Sequence, residues 1–275
     1  MSSPSTTGGA ATLRTAVPLT VMTYNVKNHH HDPAHDWADR LPLLVAIIRR
    51  NDPDVLCVQE AFHAQMEDLR AALPEYGDIG QGREGGERGE YAAVFHRRDR
   101  VAVEEDGAFW LSDTPDAVGS NTWNTSHVRM ATWGRFHDLV TDERFTLLTT
   151  HTDYVQTSRG AEVRRMSADL IAARLADASG PVVVTGDFNE GAGVAAASER
   201  LAVAGFADAW TRAGADDPVS SFNGWEPPVD GGVRIDWILT RGPVEVEGIR
   251  IDHDDPSTWS ASDHFPVVAR LVLGV

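Results

Sequence analysis

The chain has 275 residues, 42% of them hydrophobic, and carries 24 Lys plus Arg against 41 Asp plus Glu, a formal charge of −17. That length allows one large core or two small ones, and the charge makes the molecule as a whole repel polyanions, which argues against a long DNA duplex as its ligand. No apolar run is long enough to span a membrane, and the single cysteine, Cys57, permits no intrachain disulfide.

Residues 1–17 are rich in Ser, Thr, Gly and Ala and lack the apolar stretch of a signal peptide. They read as a disordered tail on a cytoplasmic protein. Residues 19–22 form a short apolar strand that ends on Thr23-Tyr24-Asn25. The only lysine, Lys27, follows; with arginine everywhere else, it reads as a bias toward GC-rich codons and carries no functional weight. His29-His30-His31 looks like a metal-binding tract, yet adjacent side chains diverge and a solvated loop explains it as well.

Leu41, Leu44, Val45 and Ile48 recur at helical spacing, with Asp36 or Asp39 available to cap and Pro42 tolerable in a first turn. Asn51-Asp52-Pro53-Asp54 stops that helix and starts a strand ending in Gln59-Glu60; Cys57 inside it reads as a small buried hydrophobe. Phe62, Met66, Leu69 and Leu73 make a second helical stripe. Residues 77–90 hold six glycines among charges, so a mobile segment without secondary structure is expected there.

The middle of the chain changes character. Residues 91–96, 101–109, 132–140 and 145–151 read as strands joined by short polar turns, which suits antiparallel pairing, and the last ends on Thr150-His151. A third helical stripe, Val163, Met166, Leu170, Ile171 and Leu175, precedes the apolar run Pro181-Val182-Val183-Val184-Thr185 and the polar tip Gly186-Asp187-Phe188-Asn189. Strands over residues 235–240, 244–251 and 267–273 follow. Residues 112–129 and 219–233 combine turn formers with Trp123 and Trp225, as the rim of a site would. Trp110, Trp210 and Trp237 sit in core-like contexts; Trp123, Trp225 and Trp259 sit in loop-like ones and could stack on a base or sugar.

Four strand ends therefore carry carboxylates, amides or an imidazole, and Arg234-Ile235-Asp236-Trp237 and Ser262-Asp263-His264-Phe265-Pro266 complete the series. A contiguous Ser-Asp-His is no triad, since triads are built by geometry and not by adjacency. In this order, from about Leu19 to Leu271, the elements resemble the endonuclease/exonuclease/phosphatase superfamily, the deoxyribonuclease-like fold. Tyr91, Arg129 and Trp133 within their segments resemble a bacterial branch of it, although Thr150-His151-Thr152-Asp153-Tyr154 lacks the second histidine its relatives commonly place there.

The resemblance implies an α/β protein: a four-layer sandwich of two facing, mixed but mainly antiparallel sheets flanked by helices, with residues 18–275 as one catalytic domain. It also implies Glu60 as the principal metal ligand with Asn25 and Asp263 beside it, and Asp187 as the carboxylate that activates water. By the same resemblance, Asn189 donates to the phosphate, His264 contacts a phosphoryl oxygen, and Asp236 orients that ring. His151 is the candidate general acid or transition-state donor. Sparse, scattered acids suit Mg²⁺, for which Mn²⁺ can substitute.

Arg129 is a candidate for gripping phosphate, as Arg234 could be unless it pairs with an acid, and Tyr91, Trp123 and Trp225 are candidates for substrate contact. The expected enzyme is a monomeric, Mg²⁺-dependent phosphoesterase that hydrolyses a small soluble phosphomonoester or phosphodiester. Its rivals are a DNA or RNA nuclease and a binding module that kept the fold and lost the chemistry.

Overall fold

The computed structural model describes residues 17–30, 33–216 and 219–275. All but the last residue of the expected tail, and His31 of the histidine run, fall outside them. Among the described residues no helix is long and apolar enough to cross a membrane.

The first sheet is built from β1 (Leu19–Asn25), β2 (Val55–Gln59), β3 (Tyr76–Ile79), β4 (Ala92–Arg97), β11 (Val244–Ile251) and β12 (Val267–Leu273), in the order β11-β12-β1-β2-β4-β3. The second holds β5 (Val101–Trp110), β6 (Met130–Asp138), β7 (Arg144–His151), β8 (Val182–Asp187), β9 (Ala207–Asp208) and β10 (Asp236–Arg241), in the order β5-β6-β7-β8-β10-β9. Each sheet contains one parallel pair, β1 with β2 and β7 with β8, among antiparallel neighbours. The helices are α1 (Trp37–Asn51), α2 (His63–Ala72), α3 (Ser158–Arg174), α4 (Ala196–Val203), α5 (Ala209–Ala213) and α6 (Pro256–Ala261).

Successive strand residues point to opposite faces of a sheet, and this alternation divides the apolar residues among three buried layers. Leu19, Val21, Val55, Cys57, Phe145, Leu147 and Val183 meet in the central layer between the sheets. Met22, Tyr24, Leu56 and Val58 face outward to Leu44, Ile48, Met66 and Leu69 of α1 and α2. Leu148, Val182, Val184 and Trp237 face the other way, onto Val163 and Ile171 of α3 and Leu201 of α4. The result is the expected sandwich, helices outside and sheets face to face.

The central layer is not apolar throughout. Along β1, β2, β7 and β8 the same inward phase that begins with Leu19, Val55, Phe145 and Val183 runs on to Asn25, Gln59, His151 and Asp187. Between them lie Thr23, Thr149 and Thr185, all fully buried. The Gln59 amide ties the two sheets across this zone, donating to Thr23 Oγ1 at 3.1 Å and to Thr149 Oγ1 at 3.0 Å. Each strand thus delivers a polar side chain to one end of the sandwich because of its register.

Local signals behave as their chemistry dictates, with some departures. Asp36 caps α1 by accepting from Ala38 N at 2.8 Å, and Asp52 ends it in the left-handed conformation. Pro42 lies inside the helix, beyond its first turn. Residues 77–90, expected to lack structure, instead continue β3 and then form a tight hairpin in which Arg83 N donates to the Glu90 carbonyl and Glu84 N to that of Arg88. Its glycines act as turn formers: Gly85, Gly86 and Gly89 take the positive φ that the reversals need. The short helices α4, α5 and α6 were not anticipated.

Candidate active site

Gly186 fixes the centre of the site. It has φ +139°, and a Cβ there would lie 2.0 Å from the Thr150 carbonyl oxygen on the neighbouring strand. Only glycine permits that approach, and it sets His151 opposite Asp187 in the parallel register. Asp236 opposes Asp187 from the other side, through the antiparallel β8–β10 pair. Two buried carboxylates and a buried imidazole thereby converge.

His264 joins them from the loop after α6. Its Nδ1 lies 2.9 Å from Asp236 Oδ2, and its Nε2 lies 3.6 Å from Asp187 Oδ2. The Ser262 hydroxyl anchors this loop to β1, donating to the Asn25 carbonyl at 2.6 Å. Asn25 Nδ2 donates to Asp187 Oδ2 and to Glu60 Oε1, each at 3.0 Å. Glu60, just past β2, turns inward with φ +68°; its other oxygen accepts from Asn28 Nδ2 at 2.9 Å and Asn28 N at 3.2 Å.

The electrostatics follow from burial and neighbours. Burial, reinforced by the Asp236 charge, pushes Asp187 up to about 7 even though His264, the Asn189 N–H and the Asn25 amide oppose it. Burial alone would neutralise His264, but Asp236 and Asp187 outweigh it and raise the ring to about 10. His264 is accordingly an imidazolium at neutral pH. His151 goes the other way: burial, with Arg129 and His264 nearby, holds it well below the ordinary histidine value, and it stays neutral. Glu60 is buried too, yet Lys27 and the Asn25 amide pull it below the usual carboxylate range.

Glu60, His151, Asp187 and His264 form the floor of a cavity of about 530 Å³, whose walls include Lys27, Asn28, Glu90, His127, Arg129, Tyr154, Asn189, Phe222 and Asp263. Arg129 is buried at the side, with no partner for its Nε. Next to it Glu90 pairs with Arg83 and accepts from Asn28 at 3.1 Å. Asn189 lines the wall with φ +52°; its N–H donates to Asp187 Oδ1 at 2.9 Å and its amide to the Thr152 carbonyl at 3.2 Å. Tyr154 and Phe222 stand at the mouth, each 47% exposed. A second cleft of about 420 Å³, lined by Phe109, Trp133, Arg144 and Arg174 among others, shares no residue with it.

Three candidates for substrate contact are not brought to the cavity. Tyr91 shares only a small adjoining crevice with Arg129 and His151, and its hydroxyl lies 3.3 Å from the Gly86 carbonyl in the hairpin. Trp123, expected at an exposed rim, is 6% exposed within the α3 layer; its indole N–H donates to Asp113 at 2.8 Å. Trp225 is half-buried and stacks on His35 at 3.8 Å. Arg234 is paired with Asp208. Lys27, Asn28, Glu90, Tyr154 and Phe222 were missed, although each lies within or beside a segment that ends a strand or precedes one.

Two donor sets here could hold a metal ion. Asp187, Asp236 and His264 offer ligand atoms all within 4.8 Å of one another, but the His264–Asp236 hydrogen bond already accounts for much of that closeness. The other set is Glu60, Asn25 and Asp263. It fits a hard cation better because it can offer oxygen ligands alone, with no imidazole; Asp263 Oδ1 is buried with no hydrogen-bond partner, although Asp236 Oδ1 is so too.

The chain belongs to the endonuclease/exonuclease/phosphatase family, whose signature it matches over residues 22–264. Members of this family hydrolyse phosphate esters and generally depend on a divalent metal. The chain is similar to an endonuclease/exonuclease/phosphatase from Bacteroides vulgatus: 34% identity, 94% of this chain and 99% of that one covered, TM-score 0.84. It is also similar to a mannosyl-6-phosphatase from Bacteroides thetaiotaomicron, at 29% identity over 92% of this chain and 99% of that one, with a TM-score of 0.82. TDP2 of D. rerio complexed with a single-strand DNA product shares the fold alone, at 17% identity over 92% of this chain and 98% of that one and a TM-score of 0.70.

Proposed function

We propose that this protein is a Mg²⁺-dependent phosphoesterase, active also with Mn²⁺, that hydrolyses the phosphate ester of a small soluble molecule by direct attack of water. The observation that carries the reading is the pair Asp187 and His264 at the floor of a cavity sized for a small ligand, with Asp236 bonded behind His264. Glu60, Asn25 and Asp263 would hold the metal, which when bound would neutralise phosphoryl charge as a Lewis acid. The chain's own residues do the rest.

Asp187, ionised, accepts a proton from the attacking water and orients it, while the Asn189 N–H holds the carboxylate from behind. His264 is charged and kept in orientation by Asp236 at Nδ1, so its Nε2–H is directed at the phosphate oxygens. His151, neutral, supports a hydrogen-bond donor role toward the leaving group or the developing charge rather than that of a charged general acid. Arg129 is the guanidinium on the cavity wall, suited to paired contact with phosphate.

The mannosyl-6-phosphatase relative favours a phosphorylated sugar, a phosphomonoester. The half-exposed rings of Tyr154 and Phe222 at the mouth suit the apolar face of such a sugar ring. In the cavity wall Glu60, Glu90, Asp187 and Asp263 face Lys27, Arg129 and the histidines, a balance unsuited to tracking a polyphosphate backbone. Assay of sugar phosphates in EDTA, Mg²⁺ and Mn²⁺, with wild type and Glu60→Ala, tests the reading. Turnover should require the metal, and Glu60→Ala should need much more of it while retaining the wild-type circular dichroism spectrum. Full activity in excess EDTA would refute the metal-dependent mechanism.

A further inference from the structure

Lys27 is the only lysine in the chain, and it lies among the acids of the site. Its Nζ is 2.9 Å from Asp263 Oδ2 and 3.9 Å from Glu60 Oε2. The backbone holds it there in a conformation unusual for lysine, φ +54°. Lys27 N donates to Asn25 Oδ1 at 3.0 Å, and its carbonyl accepts from Arg40 Nη2 and Gln65 Nε2, each at 3.0 Å. The side chain is 36% exposed and lines the cavity. Its backbone is held by these hydrogen bonds, while its part-exposed side chain ends in ion pairs alone.

An ammonium between Glu60 and Asp263 occupies the position of positive charge that a divalent cation on those carboxylates would take. Two cations within a few ångströms repel, so both cannot sit on the same oxygens. Resting on the metal-dependent reading above, we propose that Lys27 is a resident counter-cation. Its ammonium neutralises Asp263 and Glu60 in the metal-free protein, is displaced when a divalent cation takes them, and then contacts the phosphate of the substrate. Metal loading and phosphate recognition are thereby linked through one side chain.

Calorimetric titration of wild type, Lys27→Met and Lys27→Arg with Mn²⁺ alone, then of the Mn²⁺-loaded proteins with inorganic phosphate, tests this. Lys27→Met should bind Mn²⁺ about tenfold more tightly, the order expected when one competing charge leaves a part-exposed site, and should bind phosphate more weakly. Lys27→Arg should restore both toward wild type. A merely structural role would weaken both affinities together.

The single lysine gives an independent readout. After ¹³C reductive methylation the dimethyl-lysine signal should shift on Mg²⁺ addition, a change unaffected by whether the Met variant folds well. Mn²⁺ affinity in Lys27→Met equal to or below that of wild type, with an unmoved Lys27 signal, overturns the proposal alone. Binding of Mn²⁺ by neither protein overturns the metal-dependent reading and the proposal with it.

Discussion

Asp187 and His264 show how burial gives two neighbours opposite tasks. Burial and Asp236 raise the carboxylate, whereas the same carboxylates hold the imidazole charged. Asp187→Asn keeps the shape and removes the group proposed to take the water's proton. We expect kcat to fall by roughly a hundredfold or more, the usual range for removal of a general base, with thermal stability close to wild type. Near wild-type kcat would assign the role to another group.

A second expectation concerns pH and stability in EDTA. His264 has a folded pKa of about 10 against an unfolded value of 6.5. Its charged pairing with Asp236 therefore contributes stability that is fully present below pH 6.5 and is lost as pH rises through 10. Asp187, raised from 3.8 to about 7, adds a loss between those two values. Denaturation midpoints measured from pH 6.5 to 10 should fall for wild type and fall less for His264→Gln; equal slopes would contradict the assignment of charge. At this scale Glu60 and Asp187 were legible because each ends an apolar strand, and Asp236 because it opens one. Lys27 was not, because its meaning lies in its distance from Glu60 and Asp263, which no spacing in sequence conveys.

Among the elements, the parallel pair β7–β8 carries the site, and Gly186 is its tightest point. Gly186→Ala would drive a methyl into the Thr150 carbonyl and impose an unfavourable φ. We expect a loss of at least about 2 kcal/mol in unfolding free energy and a disproportionate loss of kcat, as His151 and Asp187 move apart. Unchanged stability would show that the strand can shift. The long helices were legible from their 3.6-residue period, and the four central strands as short runs bounded by polar tips, since those strands are buried on both faces. The hairpin before β4 was misread because glycines among charges suggest freedom, while here they supply the φ that reverses the chain. Helices α4, α5 and α6 have five to eight residues, too short for a 3.6-residue period to stand out.

For the molecule as a whole, the four-layer architecture was implied by the order of motifs, and the two six-stranded sheets with flanking helices bear it out. The aromatic residues were harder to place. Trp123 and Trp225 lie in turn-rich segments, but one fills the α3 layer and the other stacks on His35, so the cavity mouth belongs instead to Tyr154 and Phe222.

The net charge of −17 bears on the substrate. An enzyme that follows a nucleic-acid backbone neutralises several phosphates and loses affinity steeply with salt, whereas for one ester phosphate the proposed contacts from the metal, Arg129, Lys27 and the histidines would suffice. The measurement that tests the account most directly is kcat/KM with Mg²⁺ for small sugar phosphates and for a defined DNA duplex, across a series of salt concentrations. A small phosphomonoester should be turned over far better than the duplex, with a shallow salt dependence. Efficient duplex cleavage with a steep negative salt slope, and negligible turnover of every small ester, would contradict it.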